Sequence, residues 1–290
     1  MPFEFSSAQQ VLWLGAHKTG TTYLQGMLDA TAGRLEDAQI VFEPLNSFRD
    51  SYTRPLLHRG FVSRPAPASE FRRGAAQTIL FDENIPGLVQ NAVSPKIGLY
   101  PMMEIRVRKV INYLDYHPDL IVFGIRNLVG YLPSLYCEML KSTPFQTFEH
   151  FMKRVPPQLQ WYWLAKRMAS MFPDVPLVLY RAEDLRGNER ALLSALTGLP
   201  ASVFEENAQK ERSGFSKKTI RRLKKLSETQ EVTRSDVFRM NRRFPKSAEN
   251  PGFDPFGDIR RERFNKLYEK DLVEIAADPN MTLLDFANLS

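Results

Sequence analysis

Near the start of the chain, Gly15-Ala16-His17-Lys18-Thr19-Gly20-Thr21-Thr22 brings together residue types that suit an anion. The apolar run at 10–14 before them reads as a strand. Tyr23-Leu24-Gln25 after them opens a helix-like pattern running to about residue 30. The segment between is then a turn entering a helix N-terminus, where unpaired backbone N–H groups and the positive end of the macrodipole favour negative charge. Lys18 adds a point charge, and Thr19, Thr21 and Thr22 add short hydroxyl donors. Gly15 and Gly20 let the backbone turn tightly and approach a ligand closely. A lysine at a helix start is disfavoured unless an anion sits there. Thr19 or Thr21 would also serve as a helix cap, which is compatible with holding an anion.

A second constellation follows the apolar run 120–124. Arg126 stands just beyond it, and Ser134 lies eight residues later on the helix-like stretch 129–140. Taken by themselves, Arg126 could be a surface salt-bridge residue and Ser134 an ordinary polar helix residue; a guanidinium at a strand exit is also suited to phosphate oxygens. A third lies after the compact run 78–81, where Asp82, Glu83 and Asn84 occur together. A carboxylate in a closed, desolvated site can have its pKa raised toward neutrality and accept a proton. Glu83 is therefore the candidate general base, with His17 in the first loop as its rival and Asp82 as a third choice. The ordinary alternatives are a helix cap or surface carboxylate for Glu83, and a packed loop residue for His17.

The first loop is not a Walker A sequence, in which lysine directly follows the second glycine. Here Lys18 precedes Gly20. A strand, a lysine-threonine-glycine-threonine-threonine turn and a helix instead resemble the 5′-phosphosulfate loop of the sulfotransferase family. Arg126 and Ser134 are similar to that family's 3′-phosphate motif. The resemblance implies a three-layer α/β/α fold around a central parallel sheet, of the P-loop NTPase-like sulfotransferase kind. It implies 3′-phosphoadenosine 5′-phosphosulfate (PAPS) as sulfuryl donor, with the bisphosphate PAP as product. Lys18, Thr19, Gly20, Thr21 and Thr22 would hold the phosphosulfate, and Arg126 and Ser134 the 3′-phosphate. Glu83-Asn84 matches a pair found after this strand in bacterial relatives. The acceptor would be a hydroxyl or amine of a glycan or small molecule. Two other readings remain. One is an ATP- and magnesium-dependent kinase, for which Asp82 would organise the metal. The other is a non-catalytic nucleotide- or glycan-binding protein.

Composition fits one soluble globular unit. The chain has 290 residues, 43% hydrophobic and 25% charged, with a net charge of +6. That length is enough for one large α/β domain with a sizeable core, or for two small domains; no domain boundary is evident, and a single domain is expected. The mild basic excess suits polyanionic ligands without demanding nucleic acid. One cysteine, Cys137, excludes a disulfide framework within the chain; it falls in an apolar helix-like run and reads as a buried small residue. Histidines 17, 58, 117 and 150 lack metal-ligand spacing. No apolar run approaches a membrane span, and residues 1–10 lack the features of a signal peptide. The expectation is a cytoplasmic enzyme of bacterial type.

Four or five short apolar strands alternate with helical stretches, which predicts a parallel sheet covered on both faces. Ligands in such sheets bind beyond the carboxyl ends of the strands. The segment 47–73, rich in arginine and proline, reads as an irregular or mobile insertion that would form a lid or acceptor wall. Trp161, Tyr162, Trp163, Leu164 and Met168 read as a core-facing helical stripe, and Asp184 as the cap of the next helix. The basic run 217–225 reads as a solvated helix face, or as a segment that closes over the nucleotide or attracts an acidic acceptor. The part from about 216 to 290 is expected to be mainly helical.

Overall fold

The central strands are apolar at nearly every position, so they need cover on both faces. The computed structural model describes residues 5–58, 60–71, 75–205 and 214–289. Its strands are β1 (Gln10–Trp13), β2 (Ile40–Phe42), β3 (Gln77–Phe81), β4 (Val93–Ser94), β5 (Gly98–Leu99), β6 (Leu120–Ile125), β7 (Leu177–Arg181) and β8 (Met281–Leu283). Six of these form one parallel sheet in the order β2-β3-β1-β6-β7-β8. The short strands β4 and β5 pair as a separate antiparallel hairpin.

Alternate side chains of the sheet enter two cores. Leu12, Leu80, Ile121, Phe123 and Leu179 face one, where the Met103–Leu114, Leu128–Met139, Trp161–Met171 and Asp258–Ala277 helices pack. Val11, Trp13, Ile79, Phe81, Val122 and Tyr180 face the other, against the Thr21–Ala30 and Glu189–Thr197 helices. The architecture is thus a parallel sheet between two helical layers. No helix among the described residues is long and apolar enough to cross a membrane.

The topology positions the site. From β1 the chain fills the sheet outward on one side through β3 and β2, and on the other through β6, β7 and β8. Neighbouring strands β1 and β6 therefore send their exits to opposite faces, and a crevice opens between them. Loop 14–20 leaves β1, and Arg126 leaves β6.

Several elements differ from the sequence reading. The segment 47–73 (Arg59, Arg72 and Arg73 lie outside the described residues) is not an open insertion. It holds the Leu45–Phe48 and Arg54–Leu57 helical turns, a π-helical turn at Arg49–Thr53, and the Ala68–Phe71 turn. Phe48, Tyr52 and Phe71 cluster edge to face and tie it to the core. The C-terminal part contains an extra helix, Arg234–Arg243, and ends in the sixth sheet strand, β8. The aromatic stripe is divided: Trp161, Leu164 and Met168 are buried, whereas Trp163 is 54% exposed. Asp184 does not cap the next helix. It lies within the Ala182–Leu185 turn and pairs with Arg181 three residues back.

Candidate anion-binding site

The loop after β1 is built on left-handed backbone. Gly15, Lys18 and Gly20 have φ of 51°, 69° and 91°. Gly20 is required twice over, because a Cβ there would also come within 2.4 Å of Leu185. A left-handed lysine costs roughly 1–2 kcal/mol, and strain of this kind collects at functional sites. The surroundings hold it in place. Arg126 Nη1 donates to the Lys18 carbonyl at 2.9 Å, and the Tyr180 hydroxyl donates to the Thr19 carbonyl at 3.3 Å. Thr19 is buried, and its hydroxyl donates to the Ala16 carbonyl at 2.6 Å, so it closes the turn. Thr21 is buried and Thr22 exposed. Gly20 is the N-cap of the Thr21–Ala30 helix and offers no capping side chain, and the first turn holds no acidic residue. That helix start has neither of the usual internal sources of negative charge.

Arg126 and Ser134 sit across from this loop. The Asn127 side chain accepts from the Val129 N–H at 2.9 Å and caps the Leu128–Met139 helix, which carries Ser134. Trp161 Nε1 donates to the Arg126 carbonyl at 2.7 Å and fixes the strand exit. Trp161 is itself set from the C-terminal helix, where buried Asp271 accepts the N–H groups of Trp161 and Tyr162 at 2.9 and 3.0 Å. The Arg126 guanidinium lies over Gly130, where a Cβ would approach it to 3.2 Å.

Lys18, Arg126 and Ser134 together line a cavity of about 350 Å³. Lys141, Lys246 and Arg261 bring its cations to five, against the carboxylates Glu138 and Asp254. Lys246 and Arg261 are wall residues that sequence reasoning missed. They come from loop and helix segments far along the chain that carry no motif. Within this wall, Glu138 Oε2 accepts from Lys18 Nζ at 3.2 Å and from Lys141 Nζ at 2.8 Å. Burial works to raise the Glu138 pKa, but the two lysines outweigh it and hold the carboxyl below its usual range. Cys137 also lines the cavity, and burial pushes its thiol up to about 12, so it stays protonated and inert.

Glu83 and His17 are brought together, but outside that cavity lining. Both are buried, Glu83 at the β3 exit and His17 in the first loop beside it. Glu83 Oε2 accepts from Gln25 at 3.1 Å, and its other oxygen pairs with Arg49 at 2.9 Å. Burial works to raise its pKa, but the Arg49 charge, with the hydrogen bond from Gln25, outweighs it, and the carboxyl stays below its usual range. The sequence reading expected the opposite direction because it lacked Arg49. Fully buried Asp82 accepts from Arg49 Nη2 at 2.7 Å, Thr53 at 2.7 Å and the Asn84 N–H at 2.9 Å. Arg49 was unreadable as a site residue, since it is one of many arginines in a segment without pattern.

The His17 ring is held at both nitrogens. Nδ1 and the backbone N–H each lie 2.9 Å from the Tyr100 hydroxyl, and Nε2 lies 3.0 Å from the Asn84 amide. The Asn84 orientation that satisfies its partners points the amide oxygen at Arg49 and the NH₂ at Nε2. The imidazole proton is then on Nδ1. Burial lowers the His17 pKa, which keeps the ring neutral.

No protein-family model matches the chain, and no curated protein matches it. What stands on fold and geometry is an α/β protein with a six-stranded parallel sheet. At its topological switch point lies a cation-lined cavity.

Proposed function

We propose that the chain transfers a sulfuryl group from PAPS to a hydroxyl or amine acceptor, a glycan or small molecule, by in-line displacement. The observation that carries this reading is the convergence of Lys18, Arg126 and Ser134 on one cavity at the β1–β6 crevice. Three features suit a doubly anionic nucleotide. The helix start beyond Gly20 has no negative charge of its own. Five cations face one space. Its volume lies within the range of about 300–1,000 Å³ that ligand sites occupy.

In this reading Lys18 and the Thr19–Thr22 turn bind the 5′-phosphosulfate and stabilise charge on the departing phosphate. Arg126 and Ser134 bind the 3′-phosphate, and the Trp161 and Lys18 backbone contacts keep Arg126 aimed. The cofactor supplies an activated sulfuryl group with a good leaving group. Glu83, ionised at neutral pH, is the proton acceptor in this reading; it lies beside the cavity and must release Gln25 or Arg49 to take the acceptor's proton. A magnesium-dependent kinase would need a free carboxylate at the β3 exit. Asp82 is instead engaged by Arg49, Thr53 and Asn84, which favours the metal-independent reading.

The test is sulfuryl transfer from labelled PAPS across an acceptor panel. Lys18→Ala is expected to lower the rate about 100-fold or more. An unchanged rate defeats the proposal. Tight nucleotide binding without turnover on any acceptor would instead favour the non-catalytic binding protein.

A further inference from the structure

The cavity holds two carboxylates where an anion site would be expected to have none: Asp254 pairs with Arg261, and Glu138 faces the first loop. Glu138 lies on the same helix as Ser134, one turn further on, and its side chain is 20% exposed. A single oxygen, Oε2, receives both Lys18 and Lys141. Arg126 fixes the left-handed Lys18 backbone, so a change of partner for the ammonium is made by the flexible side chain and not by the loop. The chain therefore supplies its own anion to the lysine of the phosphate-suited loop.

We propose that Glu138 is a resident competitor for Lys18, and that it sets which anions can occupy the cavity. This rests on the reading of Lys18 as the 5′-phosphosulfate ligand. Any ligand that engages Lys18 must first displace the Glu138 carboxylate and then tolerate it nearby. An inorganic sulfate or phosphate ion gains little beyond Lys18 itself and falls short. A nucleotide with a second phosphate at Arg126 and Ser134 gains a separate anchor, and that anchor offsets the displacement. Glu138 thus filters for doubly anchored ligands and keeps Lys18 neutralised between turnovers. Lys141 serves as the holding partner: when Lys18 turns to the ligand, Glu138 retains an ion pair and does not stand as an uncompensated charge.

The sign of the effect separates this role from a structural one. Removing a supporting ion pair weakens a site, whereas removing a competitor strengthens it. Calorimetric titration with PAP, adenosine 3′-phosphate and inorganic sulfate would be run on wild type, Glu138→Gln, Glu138→Ala, Lys18→Ala and the Lys18→Ala/Glu138→Gln double variant. Thermal melts would confirm that each is folded. PAP is expected to bind Glu138→Gln about 3- to 10-fold more tightly than wild type, as fits a partly exposed ion pair. Adenosine 3′-phosphate, which does not reach Lys18, is expected to be unchanged within twofold. The gain for PAP is expected to vanish in the Lys18→Ala background. Equal or weaker PAP binding by both Glu138 variants, with wild type binding PAP, would overturn the competitor role alone. So would a gain that survives in full without Lys18, because the effect would then be general charge repulsion. Failure of both wild type and Glu138→Gln to bind PAP would overturn the nucleotide reading, and the competitor role with it.

Discussion

At the scale of single residues, the site depends on charges that satisfy each other where water cannot. Arg49 is the clearest case. Its guanidinium spans the fully buried Asp82 and the nearly buried Glu83 at 2.7 and 2.9 Å. Without it, two carboxylates would share a desolvated corner. Arg49→Met is expected to cost about 3 kcal/mol or more of stability, the usual result of stripping one partner from a buried pair. Urea unfolding of the variant checks this, and a loss below about 1 kcal/mol would show that the corner re-solvates easily. His17 belongs to the same corner. With Tyr100 on one nitrogen and Asn84 on the other, it fixes the loop conformation as well as offering a neutral ring near it.

At the scale of elements, a relay of contacts runs from the C-terminal helix to the loop at 14–20. Asp271 on the Asp258–Ala277 helix caps the start of the Trp161–Met171 helix, Trp161 holds the Arg126 carbonyl, and Arg126 holds the Lys18 carbonyl. Burial raises the Asp271 pKa from 3.8 to about 7, against the two N–H bonds that lower it. The unfolded chain releases this proton near 3.8, whereas the native chain keeps it to about 7. Between those values the native state binds more protons, so this group's contribution to stability falls as pH rises. The stability difference between wild type and Asp271→Asn, measured by denaturant unfolding at intervals from pH 4 to 8, is therefore expected to shrink by roughly 1 kcal/mol per pH unit up to about 7. It should then level off. A difference independent of pH would mean that Asp271 stays ionised.

At the scale of the whole molecule, the parallel sheet and its switch point put the 14–20 loop and Arg126 on neighbouring strand exits. Charge follows the same geometry. Residues 214–250 hold eleven lysines and arginines against four acidic residues, and Lys246 carries that basic surface to the cavity wall. Such a field raises the local concentration of anionic ligands in a salt-dependent way. Much of the sheet was legible in the sequence, because strands β1, β3, β6 and β7 are short, largely apolar runs separated by helical stretches. Lys18 stood out by residue type at a strand-to-helix turn, whereas Arg126 and Ser134 stood out through their resemblance to a family motif. Strand β8 was not legible, since Met281-Thr-Leu283 is too short to show a pattern. The Arg234–Arg243 helix was hidden by its polar composition, although the Thr233/Asp236 capping box was there to be read. Arg49, Tyr100 and Glu138 act through partners far away in the chain, and sequence spacing carries no sign of such contacts.

The central claim is that the cavity takes a nucleotide phosphorylated at both the 3′ and 5′ positions. Calorimetric titration of the whole chain with PAP, ATP and AMP, without metal, tests it most directly. The account predicts that PAP binds in preference to ATP and AMP, and that Arg126→Ala weakens PAP about 30-fold or more through the lost charge-assisted hydrogen bonds. Preferential binding of ATP, strengthened by magnesium and indifferent to Arg126, would contradict it and place the chain with the nucleoside triphosphate enzymes.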